Sequence, residues 1–67
     1  MLVKRSFTLA GHRTSVALEP EFWQALTAIA AGQGRSVAAL VAEVDANRPP
    51  ERPLASALRV HALLRAR

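Results

Sequence analysis

Between Arg13 and Leu18 the chain alternates with a period of two: Thr14, Val16 and Leu18 on one parity, Arg13, Ser15 and Ala17 on the other. The run then meets Glu19-Pro20. Successive side chains of a strand point to opposite faces, so only one parity can be core. Thr14, Val16 and Leu18 form the core set. The other face then shows a guanidinium, a hydroxyl and a methyl group. A single short strand cannot stand by itself. Either Val3–Leu9 folds back on it through Ala10-Gly11-His12, or a second copy of the chain supplies the partner. Val3, Phe7 and Leu9 share one parity against Lys4, Ser6 and Thr8, with Arg5 breaking the pattern. Residues 1–12 therefore read as a basic arm or an extra strand, and pairing of Arg13–Leu18 between two copies is the favoured arrangement.

Three helices follow. Pro20 suits the first helical position, where its missing N–H would have no partner anyway. Glu19 and Glu21 lie at the positive end of the helix dipole. Phe22, Leu26 and Ile29 recur at helical spacing, with Trp23 beside them. Gly32-Gln33-Gly34 ends this helix, and Ser36 is a good N-cap for the next. Val37, Leu40, Val41 and Val44 make the second apolar stripe. Residues 48–53, rich in proline, form a linker, because a residue before proline is pushed out of helical space. A third helix over 54–67 carries Leu54, Leu58, Leu63 and Leu64 among alanines and arginines. The fold class is mostly α with one short strand.

Size makes association a natural expectation. A chain of 67 residues without cysteine buries only about 60% of its unfolded surface. Chains this small usually lean on disulfides, a metal or a second subunit. With only His12 and His61 as imidazoles and no thiol, a metal cage is not expected. No apolar run reaches the roughly 18 residues of a membrane span, and the amino-terminal stretch does not read as a signal peptide. A cytoplasmic location is the expectation. Net charge is +4, with all five acids between Glu19 and Glu51. Two copies would carry about +8, which attracts polyanions.

Strand, helix, glycine turn and helix in this order resemble the ribbon-helix-helix family of Arc-like, methionine-repressor-like and CopG-like DNA-binding domains. The residues that carry the resemblance are Thr14-Ser15-Val16-Ala17-Leu18-Glu19-Pro20 and Gly34-Arg35-Ser36-Val37. Lys4-Arg5-Ser6 and Ala10-Gly11-His12-Arg13-Thr14-Ser15 extend it toward a short bacterial group of that family. The core of the resemblance spans 13–47.

The resemblance implies an intertwined homodimer, with an antiparallel β-ribbon made by two chains and laid in the major groove of double-stranded DNA. Carried over position by position, Arg13, Ser15 and Ala17 face the bases. Arginine can fork onto guanine O6 and N7, serine can meet several base edges, and an alanine methyl can touch that of thymine. Ala17 departs from the polar residue many members have there, so discrimination rests heavily on Arg13. Arg35, Ser36 and the backbone N–H of Val37, at a helix N-terminus, match the family's phosphate clamp. Lys4 and Arg5 are further phosphate candidates. The dimer core would comprise Thr14, Val16, Leu18, Phe22, Trp23, Leu26, Ile29, Val37, Leu40, Val41 and Val44.

Nothing in the sequence calls for catalysis or a cofactor. No nucleophile and base are placed together, and no glycine-rich loop carries the phosphate-binding lysine. The implied function is a dimeric, sequence-specific DNA-binding regulator, a repressor by occupancy at the nucleoid. Two other readings stay open. One is an antitoxin-type module that holds a partner protein through residues 54–67; the other is a low-specificity architectural DNA-binding protein.

Overall fold

A computed structural model describes residues 1–66; Arg67, the end of the third helix expected from the sequence, lies outside the described residues. Strands β1 (Val3–Leu9) and β2 (His12–Leu18) precede helices α1 (Pro20–Gly32), α2 (Val37–Asn47) and α3 (Leu54–Arg65).

The chain holds two strands where the fold class expected from the sequence has one, and they pair with each other. β1 and β2 are antiparallel, in a register that sets Val3 opposite Leu18 and Leu9 opposite His12. Of the two partners the sequence allows for β2, β1 of the same chain is the one seen here. The reason is the turn. Ala10 and Gly11 both take positive φ, 50° and 81°, as the two-residue turns that match strand twist require. Glycine does so freely, whereas alanine is strained there.

Helix boundaries follow the local chemistry. Pro20 starts α1. At its end, Gly34 has φ 69°, its N–H reaches the Ala31 carbonyl, and the Arg35 N–H reaches Ala30, both at 3.0 Å. That pair of bonds is a Schellman ending. Ser36 Oγ then accepts from the Ala39 N–H at 3.1 Å and caps α2. The axes of α1 and α2 bend by 99° across this break, and no single helix among the described residues is long and apolar enough to cross a membrane.

One apolar cluster joins all five elements. Phe7, Leu9, Val16 and Leu18 come from the sheet; Trp23, Leu26 and Ala30 from α1; Leu40, Val41 and Val44 from α2; Leu54, Ala57, Leu58 and Ala62 from α3. The expected core parity of β2 is correct, with Val16 and Leu18 buried and Thr14 half-buried. Phe22, Ile29 and Val37 pack at the margin. Apart from Thr14, the residues expected in the dimer core lie in or against this cluster within the chain. On α3, Leu54 and Leu58 point inward with Ala57 and Ala62, but Leu63 and Leu64 are exposed, because they lie off the i, i+3, i+4 stripe. The accessible surface is 4397 Å², against about 4,100 Å² expected for a folded monomer of this mass.

Candidate nucleic-acid interface

The hairpin has one face against the helices and one toward solvent. Register places Lys4 opposite Ala17, Ser6 opposite Ser15, and Thr8 opposite Arg13. All six side chains share the outer parity. Five of them are exposed and Ala17 is half-buried. The Ser6 and Ser15 hydroxyl oxygens stand 3.1 Å apart. Arg13 and Lys4 make no ion pair among the described residues, and the face carries two cations without a carboxylate. The face thus sets a row of hydroxyl groups between the charges of Lys4 and Arg13.

Half of this face is legible in the sequence. Arg13, Ser15 and Ala17 stand together as expected. Ser6 and Thr8 were missed as site residues, although their parity was legible, because their place depends on β1 lying beside β2. Lys4 and Arg5, taken together as phosphate candidates, are separated by the alternation of the strand. Lys4 joins the outer face. Arg5 turns to the other side, with its guanidinium 5.0 Å from the centre of the Trp23 ring, an attractive arrangement for a cation over an aromatic face. That placement accounts for the charge that broke the β1 pattern.

Trp23 fixes the sheet to α1. Its ring lies 5.9 Å from that of Phe7, and its Nε1–H donates to the Val3 carbonyl at 2.8 Å. On the β2 side, Arg59 of α3 donates to Glu19 at 3.0 Å and lies 5.8 Å from the Phe22 ring. A hydrogen bond from its own backbone N–H, and then Arg59, hold the Glu19 carboxyl below its ordinary value. Both strands are thereby tied to helices at the open end of the hairpin.

The start of α2 is a different kind of place. Ser36 is engaged as a cap. The Leu40 N–H bonds to the Ser36 carbonyl, so the N–H groups of Val37 and Ala38 lie ahead of the first helical bond and point outward from the helix end. Arg35, the expected phosphate ligand, is held by its own chain: its guanidinium is ion-paired with Glu43 and donates to Gln33 Oε1 at 2.8 Å. Val37 is half-buried against the core.

The two histidines are apart from the outer face. His12 is exposed beside the turn. His61 of α3 has its Nε2 enclosed, without a hydrogen-bond partner among the described residues. Burial, and then the charge of Arg65, push its pKa below the ordinary histidine value. No group of three or more potential metal-ligating side chains occurs among the described residues.

A two-stranded antiparallel ribbon with a hydroxyl-rich cationic face, followed by two helices joined through a glycine turn, defines a class of small DNA-binding folds. The chain matches the family described as ribbon-helix-helix domain over residues 2–66, and it belongs to that family. The match includes β1 and α3 as well as the 13–47 core. No curated protein and no solved structure matches it.

Proposed function

We propose that this protein is a sequence-specific DNA-binding regulator that acts as a homodimer and lays the outer face of a β-ribbon in the major groove. Membership of a family whose domains are typically DNA-binding regulators supports this reading. The observation that carries it is the outer face itself: Arg13 and Ser15 project from a two-stranded ribbon, and neither is engaged by a carboxylate among the described residues. A two-stranded ribbon has the width that the major groove admits. Arg13 is the base reader, forking onto a guanine. Ser15 makes a less discriminating contact, and Ala17 lets the backbone approach. The α2 N-terminus, with Ser36, Val37 and a released Arg35, docks on a phosphate.

The test is selection of binding sites from random duplex DNA, with the mass of the complex determined in parallel. An inverted repeat at fixed spacing, bound by two copies, is the expected result. Equal affinity for selected and random DNA would instead mark a low-specificity architectural protein. The antitoxin-type reading has less to stand on, because Leu54, Ala57, Leu58 and Ala62 bury the apolar stripe of α3 within the chain.

A further inference from the structure

We infer that the groove between α2 and α3 binds a small organic dianion, an apolar chain with a carboxylate at each end. The groove shares no residue with the outer face of the hairpin, and the inference does not depend on the DNA-binding reading.

The groove has a volume of about 320 Å³, at the small end of the range for small-molecule sites. Val44 of α2 and Ala57, Val60 and Leu64 of α3 give it an apolar floor. Arg48 and Arg52 border it from the linker, and Arg65 borders it from the last turn of α3. Arg52 lies just ahead of α3 and Arg65 is the last of its 12 residues, so their backbones stand about 18 Å apart or more. The two cations flank the floor from opposite ends.

The charges already matched decide the ligand. Glu43, on the groove, is ion-paired with Arg35. Arg48 donates to Asp45 at 3.0 Å and to the Arg52 carbonyl at 2.7 Å. It is neutralised, and it braces the linker. Glu51 is not among the groove residues. Arg52 and Arg65 make no ion pair among the described residues. One uncompensated positive charge therefore remains at each end.

A guanidinium fork matches a carboxylate in shape as well as charge. The backbone is set in advance, because the Arg52 N–H bonds to the Pro49 carbonyl at 3.0 Å, which lowers the cost of binding. His61 also borders the groove, and the bonds within the chain leave its enclosed Nε2 unsatisfied. An acid with one head would leave one cation unmatched, and an inorganic anion would leave the apolar floor wet. A chain with two heads meets all three parts.

Three probes test this on the intact protein, with the His61 imidazole signals followed by NMR. Suberate has two carboxylates on a long apolar chain, octanoate has one on a chain of the same length, and succinate has two on a short chain. Suberate is expected to shift the signals saturably, with half-saturation near or below about 1 mM. Octanoate and succinate should each bind at least about threefold more weakly, the loss of one partly exposed ion pair. Arg52→Gln and Arg65→Gln should each bring suberate down to the level of octanoate while leaving the unfolding midpoint without probe unchanged. No saturable shift, or octanoate or succinate binding as tightly as suberate, would overturn the inference.

His61 gives a second readout. Burial holds its pKa down, then Arg65, with Glu43 opposing and Arg35 adding; Arg48 and Arg52 border the same groove from the linker. A carboxylate on Arg65 offsets that charge, so bound suberate should raise the His61 pKa toward its ordinary value. A pKa that stays in place under saturating suberate would show that no head sits on Arg65, and the inference falls. The mass of the protein free of DNA should not change with suberate. A change at equal protein concentration would make the groove an interface between copies and overturn the inference as well.

Discussion

Trp23 and Val3, twenty positions apart, are joined by a hydrogen bond of 2.8 Å from the indole N–H to the strand carbonyl. That bond sets the first residue of β1 against α1, while the same ring meets Phe7 and supports Arg5. Trp23→Phe keeps an aromatic ring but removes the donor and leaves the carbonyl unpaired. A loss of about 1–3 kcal/mol is expected, read as a lower denaturation midpoint with an unchanged slope.

The hairpin turn has room for improvement at one residue and none at the other. Ala10 has φ 50° without the side-chain bonding that makes the left-handed region tolerable for asparagine. Ala10→Asn produces the preferred Asn-Gly pair and should stabilise the protein by roughly 0.5–1 kcal/mol. Gly11→Ala should destabilise it by about 1 kcal/mol. Beyond its two chain neighbours, no described atom lies within 4 Å of where the new Cβ would stand, so the cost is conformational and not steric. Thermal unfolding of both variants checks the opposite signs.

Arg13→Ala should erase discrimination at one base pair per reading face, a change of about 1–3 kcal/mol. Folding should be unaffected, because the side chain is exposed and makes no ion pair among the described residues. A site selection on the variant decides it. An unchanged base preference would sink the assignment.

Arg35 and Glu43 make a matched pair of variants. Since Glu43 holds the Arg35 guanidinium, Glu43→Gln should free it and tighten binding to every DNA sequence alike. Arg35→Ala should weaken binding to all sequences and reduce the salt slope by about one unit for each phosphate no longer neutralised. Affinities across a salt series on operator and random duplexes give both answers.

His61 predicts a pH dependence of folding. Its pKa in the folded chain is below the ordinary 6.5, because burial and Arg65 disfavour the charged form; Glu43 opposes this, and Arg35 adds to it. The unfolded chain therefore binds the proton more readily. Stability is full above 6.5 and declines as pH falls from there toward the lower folded value. Replacing the imidazole by His61→Asn should flatten this part of the profile, measured by denaturant unfolding between about pH 8 and 5.

Much of this architecture can be read along the chain because the forces that set it are local. The period of two in Arg13–Leu18 assigns inward and outward faces without reference to any neighbour. Pro20, Gly34 and Ser36 mark helix ends through backbone conformation and capping, which need only a few adjacent residues. Hence the helices, the core parity of β2 and the outward position of Arg13 and Ser15 follow from sequence.

Strand partners and charge partners do not follow in the same way. The same β2 can pair with β1 or with a second copy, and only the turn through Ala10 and Gly11 together with the docking of Trp23 on Val3 makes the hairpin. Ser6 and Thr8 gain their place beside Arg13 and Ser15 from that pairing. Arg5 and Lys4 part company because one shares the face of Trp23 and the other does not. Arg35 meets Glu43 across the first turns of α2, and α3 adds Leu54, Ala57, Leu58 and Ala62 to the core. Local propensity determined the elements; competition among non-local contacts, decided by which surfaces can be buried together, determined what each element touches.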